Sequence, residues 1–117
     1  MELIDANFIL RYLLRDSEEQ FLKVKNIIEN NNVSIPDFIF AEIVYVLEKV
    51  YHVPRLEISG VLKALLSYSN IHTNDQKVLR LSLDHYSGFN LDFADALLIA
   101  YHQVAKEGKL HTFDKKI

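Results

Sequence analysis

The residues best able to do chemistry in this 117-residue chain are acids that lie far apart in sequence: Asp5, Glu42, Asp95 and Asp114, with Asp92 three positions before Asp95. Carboxylates brought together repel one another, and several kept ionised near neutral pH imply a cation that offsets the repulsion. An all-oxygen donor set suits Mg²⁺ or Mn²⁺, which retain waters and bind phosphates, better than zinc. No two of the five histidines show a metal-ligand spacing; His102 falls on a helix and His111 on a strand. The chain has no cysteine, which excludes thiolate metal sites, disulfides and thiol nucleophiles together.

Each acid also has an ordinary role open to it. Asp5 closes a short apolar strand, where a carboxylate commonly caps the next helix. Glu42 borders an apolar stripe of Ile39, Ile43, Val46, Leu47 and Val50, a usual place for a solvated rim residue. Asp114 stands beside Lys115 and Lys116, as a surface turn residue does. The run LDFADALLIAYHQ, residues 91–103, is more telling. Asp92 there can cap a helix and Asp95 can sit in its first turn, or one of them belongs to an acidic site. A helix this apolar is expected to be buried, so Asp95 needs backbone N–H groups, a basic side chain or a cation as partner.

The elements that must position these acids alternate between short strands and helices. ELI (2–4) reads as a strand and ANFILRYLL (6–14) as a helix; Ser17 followed by Gln20 resembles a capping box for a second helix with Phe21, Val24, Ile27 and Ile28 on one face. VSIP (33–36) reads as a strand, and Asp37 as the cap of a helix through residues 38–52. A helix follows over residues 54–68 with Pro54 in its first turn, then a brief strand at Asn70 and Ile71. Asp75 introduces a helix over 76–87 with Gly88 as its C-terminal cap, the 91–103 helix comes next, Gly108 stops it, and KLHT (109–112) reads as a last strand. This order favours an α/β fold, a short parallel sheet covered by helices on both faces. Sites of open α/β sheets lie beyond the carboxyl ends of the strands, where Asp5 and Asp114 fall.

Length and a hydrophobic content of 50% suit one domain over residues 1–117. The N-terminal run is broken by Asp5, Asn7, Arg11 and Arg15, unlike a signal peptide, and the apolar run near residues 96–101 is too short to span a bilayer. A soluble, cytoplasmic protein without a membrane partner is expected. A net charge of −3 counts mildly against a polyanion ligand, although Arg11, Arg15, Lys23, Lys25, Lys115 and Lys116 allow local basic patches.

Taken together in order and spacing, IDANFILRYLLRD, FAEIVYVLEKVY, LDFADALLIAYH and LHTFD resemble the PIN domain, and within it the VapC-like ribonuclease toxins of type II toxin–antitoxin pairs. The likeness covers essentially the whole chain and implies a three-layer α/β/α fold. It implies that Asp5, Glu42, Asp95 and Asp114 form a centre for Mg²⁺ or Mn²⁺, with Asn7 and Thr112 as polar neighbours; Asp92 is left the capping role. The activity it implies is endonucleolytic hydrolysis of RNA assisted by divalent ions, with Asn7, Thr112 or nearby Arg and Lys holding the RNA backbone. It also implies a homodimer and a cognate antitoxin that covers the site, and Phe8, Leu13, Leu14, Tyr45 and Tyr51 are candidates for such interfaces where they are not simply core. The sequence stops at TFDKKI, whereas the family usually continues through a further edge strand.

Two other functions fit the same residues. A non-catalytic interaction module of this fold would keep the acids only as helix caps. A receiver domain phosphorylated on aspartate would need paired acids after its first strand and a well-placed lysine, and this sequence has neither.

Overall fold

A computed structural model describes residues 1–116. Three strands of two residues each, β1 (Glu2–Leu3), β2 (Val33–Ser34) and β3 (Ile71–His72), form a parallel sheet in the order β1-β2-β3. Its register pairs Glu2 with Val33 and Val33 with Ile71. Six helices surround it: α1 (Ala6–Leu14), α2 (Glu18–Asn30), α3 (Asp37–Lys49), α4 (Arg55–Leu66), α5 (Gln76–Gly88) and α6 (Phe93–Ala105). The expected three-layer α/β/α arrangement is what the chain adopts.

The strands are short, so side-chain burial rather than the backbone ladder fixes their place. Val33 and Ile35 are fully buried against Ile9, Ile28, Phe40 and Ile43, which joins the sheet to α1, α2 and α3. A second group, Ile58, Leu62, Leu79 and Leu83, packs α4 on α5 within the same core. Burying a Leu, Ile or Phe side chain contributes about 1.5–3 kcal/mol, far more than the few ladder bonds add net.

Several local expectations hold. Asp5 Oδ1 accepts the Phe8 N–H at 2.9 Å, Ser17 Oγ accepts that of Gln20 at 3.3 Å, and Asp75 Oδ1 accepts that of Val78 at 3.2 Å. Others are corrected. Pro36, extended at φ −59°, takes the N-cap position of α3, so Asp37 is its first helical residue and its carboxylate accepts the Tyr101 hydroxyl instead. Pro54 likewise occupies the N-cap position of α4 rather than its first turn. Gly88 ends α5 from within; Phe89 is the cap, and its N–H returns to His85 O at 3.0 Å, so no left-handed residue is required.

Residues 109–112 form no strand, and His111 is therefore not on one. Lys106 and Gly108, at φ 58° and 75°, turn the chain away after α6, and Phe113 is fully exposed, so the segment buries no face that would hold it to the sheet. In consequence β1 is an edge strand, with Leu3 72% exposed. Nor is α6 buried all round: Phe93, Ala96 and Ala100 face the core, while Leu98 and Tyr101 remain partly in solvent. No described helix is long and apolar enough to cross a membrane.

Candidate active site

Of the acids singled out in the sequence, Asp5, Asp92 and Asp95 sit at the beginnings of helices, Glu42 on an exposed helix face, and Asp114 in a turn beyond α6. Asp5 lies between the buried Ile4 and Ala6, which fix the backbone on either side of an exposed carboxylate that caps α1. In the first turn of α1, Asn7 faces α3: Asn7 and Glu42 line one shallow hollow with Ala6, Leu10, Tyr45 and Val46. Both polar residues are exposed.

The second grouping stands at the start of α6. Asp95, in the first turn, is half-buried and close enough to the Asp114 carboxyl for the two to act on each other. Burial, then the negative charges of Asp114 and Asp92, holds the Asp95 carboxyl above its ordinary range, and Lys116 pulls the other way. Asp114 is set by a compact turn in which its N–H donates to Thr112 Oγ1 at 3.0 Å and its Oδ1 accepts the Lys116 N–H at 2.9 Å. Asp92 occupies the N-cap position of α6, but its side chain makes no cap hydrogen bond. It therefore remains in the field of the other two acids instead of being spent on the helix end.

The chain thus brings Asp95 together with Asp114, with Asp92 acting on it through its charge alone, and Asn7 together with Glu42. Among the described residues, no three His, Cys, Asp or Glu side chains draw close enough to form a metal-holding group. The donor chemistry nevertheless suits a hard cation. Mg²⁺ keeps several waters and is commonly held by one or two carboxylates plus a substrate phosphate, which a pressed carboxylate pair such as Asp95 and Asp114 can provide.

One further acid, Glu48, was not singled out in the sequence. Glu48, near the end of α3, accepts the Tyr86 hydroxyl, pairs with Lys49 at 2.9 Å, and lies 3.3 Å from Arg55 Nε. These partners, Tyr86 foremost, pull its carboxyl below the ordinary glutamate range against the cost of burial. Its partners Arg55 and Tyr86 lie on α4 and α5, so helical periodicity within α3 carries no trace of the network. Glu48, Lys49, Tyr86 and Asp92 line a common hollow with Tyr45 and Phe93.

A short parallel sheet wrapped by helices, with acids gathered at helix starts, defines an α/β protein whose site chemistry is carried by carboxylates. The family model of the PIN domain matches residues 3–117, and the chain belongs to that family. PIN domains are generally metal-dependent nucleases, which supports a hydrolase of nuclease type. No curated protein and no solved structure matches the chain.

Proposed function

We propose that the protein is a Mg²⁺- or Mn²⁺-dependent endoribonuclease of the VapC-like toxin type, held in check by a cognate antitoxin. The observation that carries this reading is the contact between Asp95 and Asp114 beside Asp92, a concentration of negative charge in a chain of the PIN family. Asp95 and Asp114 would hold the ion, with Asp5 and Glu42 as further ligands. A bound divalent ion would supply Lewis-acid polarisation of the scissile phosphate and a stronger water nucleophile.

The chain's own residues do the rest. Ile4 and Ala6 hold Asp5 at the end of β1, and the Thr112 turn presents Asp114 toward α6. Asn7, across from Glu42, can donate its amide to a phosphate oxygen, and Lys116 lies near enough to Asp95 to moderate the negative field that an RNA strand must approach. Binding that depends on such contacts weakens as salt rises.

Partner surfaces belong to the same proposal. Of the residues expected at interfaces, Phe8, Leu13 and Leu14 are partly buried against the core, whereas Tyr45 and Tyr51 stand out into solvent. Tyr45, between the Glu42 and Asp92 hollows, is placed where an antitoxin segment would cover both. The second reading, a non-catalytic interaction module, draws on the absence, among the described residues, of any group of three His, Cys, Asp or Glu side chains that could hold a metal. Cleavage of structured RNA with added Mn²⁺, compared with Asp5→Asn and Asp95→Asn, decides between them. The nuclease reading expects metal-dependent cleavage lost in both folded variants, and metal-independent behaviour in all three proteins leaves only the module.

A further inference from the structure

Arg55, the first residue of α4, joins α3, the end of α5 and the loop that follows it. Its guanidinium donates to the carbonyls of Tyr86, at 3.1 Å, of Phe89, at 3.4 Å, and of Leu91. Its Nε lies 3.3 Å from Glu48 Oε1, and the guanidinium carbon sits 4.4 Å over the centre of the Tyr86 ring. Tyr86 in turn donates its hydroxyl to Glu48 and packs edge-on against Phe93, at 5.9 Å between ring centres.

These contacts converge on one short stretch. The three carbonyls belong to the end of α5 and to the loop that delivers the chain to Asp92, the residue before α6 begins. Leu91 and Phe93, on either side of Asp92, are both buried. A carbonyl bonded at Leu91 and an aromatic ring wedged at Phe93 therefore set the entry of α6, and Asp95 lies in the turn that follows. The carbonyls at the end of α5 carry the negative pole of that helix, which favours a cation there.

We infer that Arg55 is a positioning residue for the acidic centre: by clamping the carbonyls of residues 86–91, it fixes the orientation of α6 and so the geometry of Asp95 against Asp114. This inference rests on the nuclease reading above and adds a residue that touches neither substrate nor metal. A guanidinium is needed because it aims Nη1 at the carbonyls and Nε at Glu48 at a fixed angle while its face stacks on Tyr86; a lysine keeps the charge and could reach the carbonyls, but has no second nitrogen for Glu48 and no planar face for the ring. The charge toward Glu48 alone would be met by either residue.

Arg55→Lys and Tyr86→Phe separate positioning from simple support. Five quantities would be measured on each full-length variant: thermal midpoint, amide exchange over residues 89–96 in metal-free protein, Mn²⁺ affinity by calorimetry, and kcat and KM for RNA cleavage. Arg55→Lys is expected to speed exchange in that segment and to weaken both Mn²⁺ binding and kcat by about tenfold, with KM for RNA held within about twofold, as loss of an outer support for a ligand does. Tyr86→Phe, which keeps the guanidinium fork, should move Mn²⁺ affinity by less than about threefold even if its midpoint falls further. Unaltered exchange and Mn²⁺ affinity in a folded Arg55→Lys protein overturn the positioning role while leaving the nuclease reading intact. If the unsubstituted protein takes up no Mn²⁺ and cuts no RNA, both fall together.

Discussion

Glu48 and Asp95 are both half-buried carboxylates on helices that pack against one another, yet the chain treats them in opposite ways. Around Glu48 it gathers a lysine, an arginine and a phenol, and the carboxyl is held below its usual range. Around Asp95 it gathers two further acids, and the carboxyl is held above. A carboxylate supplied with internal partners contributes to the fold; one pressed against its own kind costs stability and is kept where something from outside relieves it. The contrast marks Asp95, and not Glu48, as the acid on which the nuclease reading depends.

Metal linkage tests the contrast most strongly. At a Mn²⁺ concentration 100 times Kd, the ion should stabilise the unsubstituted protein by about 2.7 kcal/mol, read as a rise in thermal midpoint. Asp95→Asn should abolish that rise, and Glu48→Gln should retain it from a lower starting point. Equal responses in the two variants would erase the distinction.

Glu48→Gln by itself should cost about 2 kcal/mol in chemical denaturation, because it leaves Arg55 without its charged partner in a partly buried site. Asp95→Asn in metal-free protein should leave stability unchanged or raise it, since it removes repulsion from Asp92 and Asp114.

Asp5 sits between the two types, because it already caps α1. Asp5→Ala should cost about 1 kcal/mol of stability, while Asp5→Asn, an equally good cap, should cost almost none. The asparagine variant is the cleaner probe of chemistry: a fall in cleavage without a fall in stability assigns the charge, not the cap, to function.

The smallest effect is in pH. For Glu48 the folded-state pKa lies below the ordinary 4.5, so its stabilisation is present above that value and is lost as pH falls through the folded pKa. For Asp95 the folded-state pKa lies above the ordinary 3.8. Its penalty is therefore full above the folded pKa and disappears as acidification approaches 3.8. Stability measured against pH in metal-free protein should lose its acid-side decline in part with Glu48→Gln, and should lose a modest opposing gain with Asp95→Asn.

What was legible in the sequence was what local rules govern. Asp5, Ser17 and Asp75 each precede a run with helical spacing, and each caps its helix through a residue three positions on. Asp95 was legible for a related reason, a charge set among apolar neighbours. The Arg55 clamp was not, because its acceptors are backbone carbonyls more than thirty residues away, and every residue offers a carbonyl. The expected strand at residues 109–112 failed for the complementary reason: its composition suits a strand, but the backbone turns at Lys106 and Gly108 decide where it goes. Asp92 shows the limit of position alone, since it stands at the cap of α6 without bonding to it.

Strands only two residues long cannot persist by themselves, and here they are brought into line by the helices that close over Val33 and Ile35. The place of Asp5 after β1 consequently depends on the helices packed over the sheet. Whatever the acids do together is therefore available only once the helices are in place.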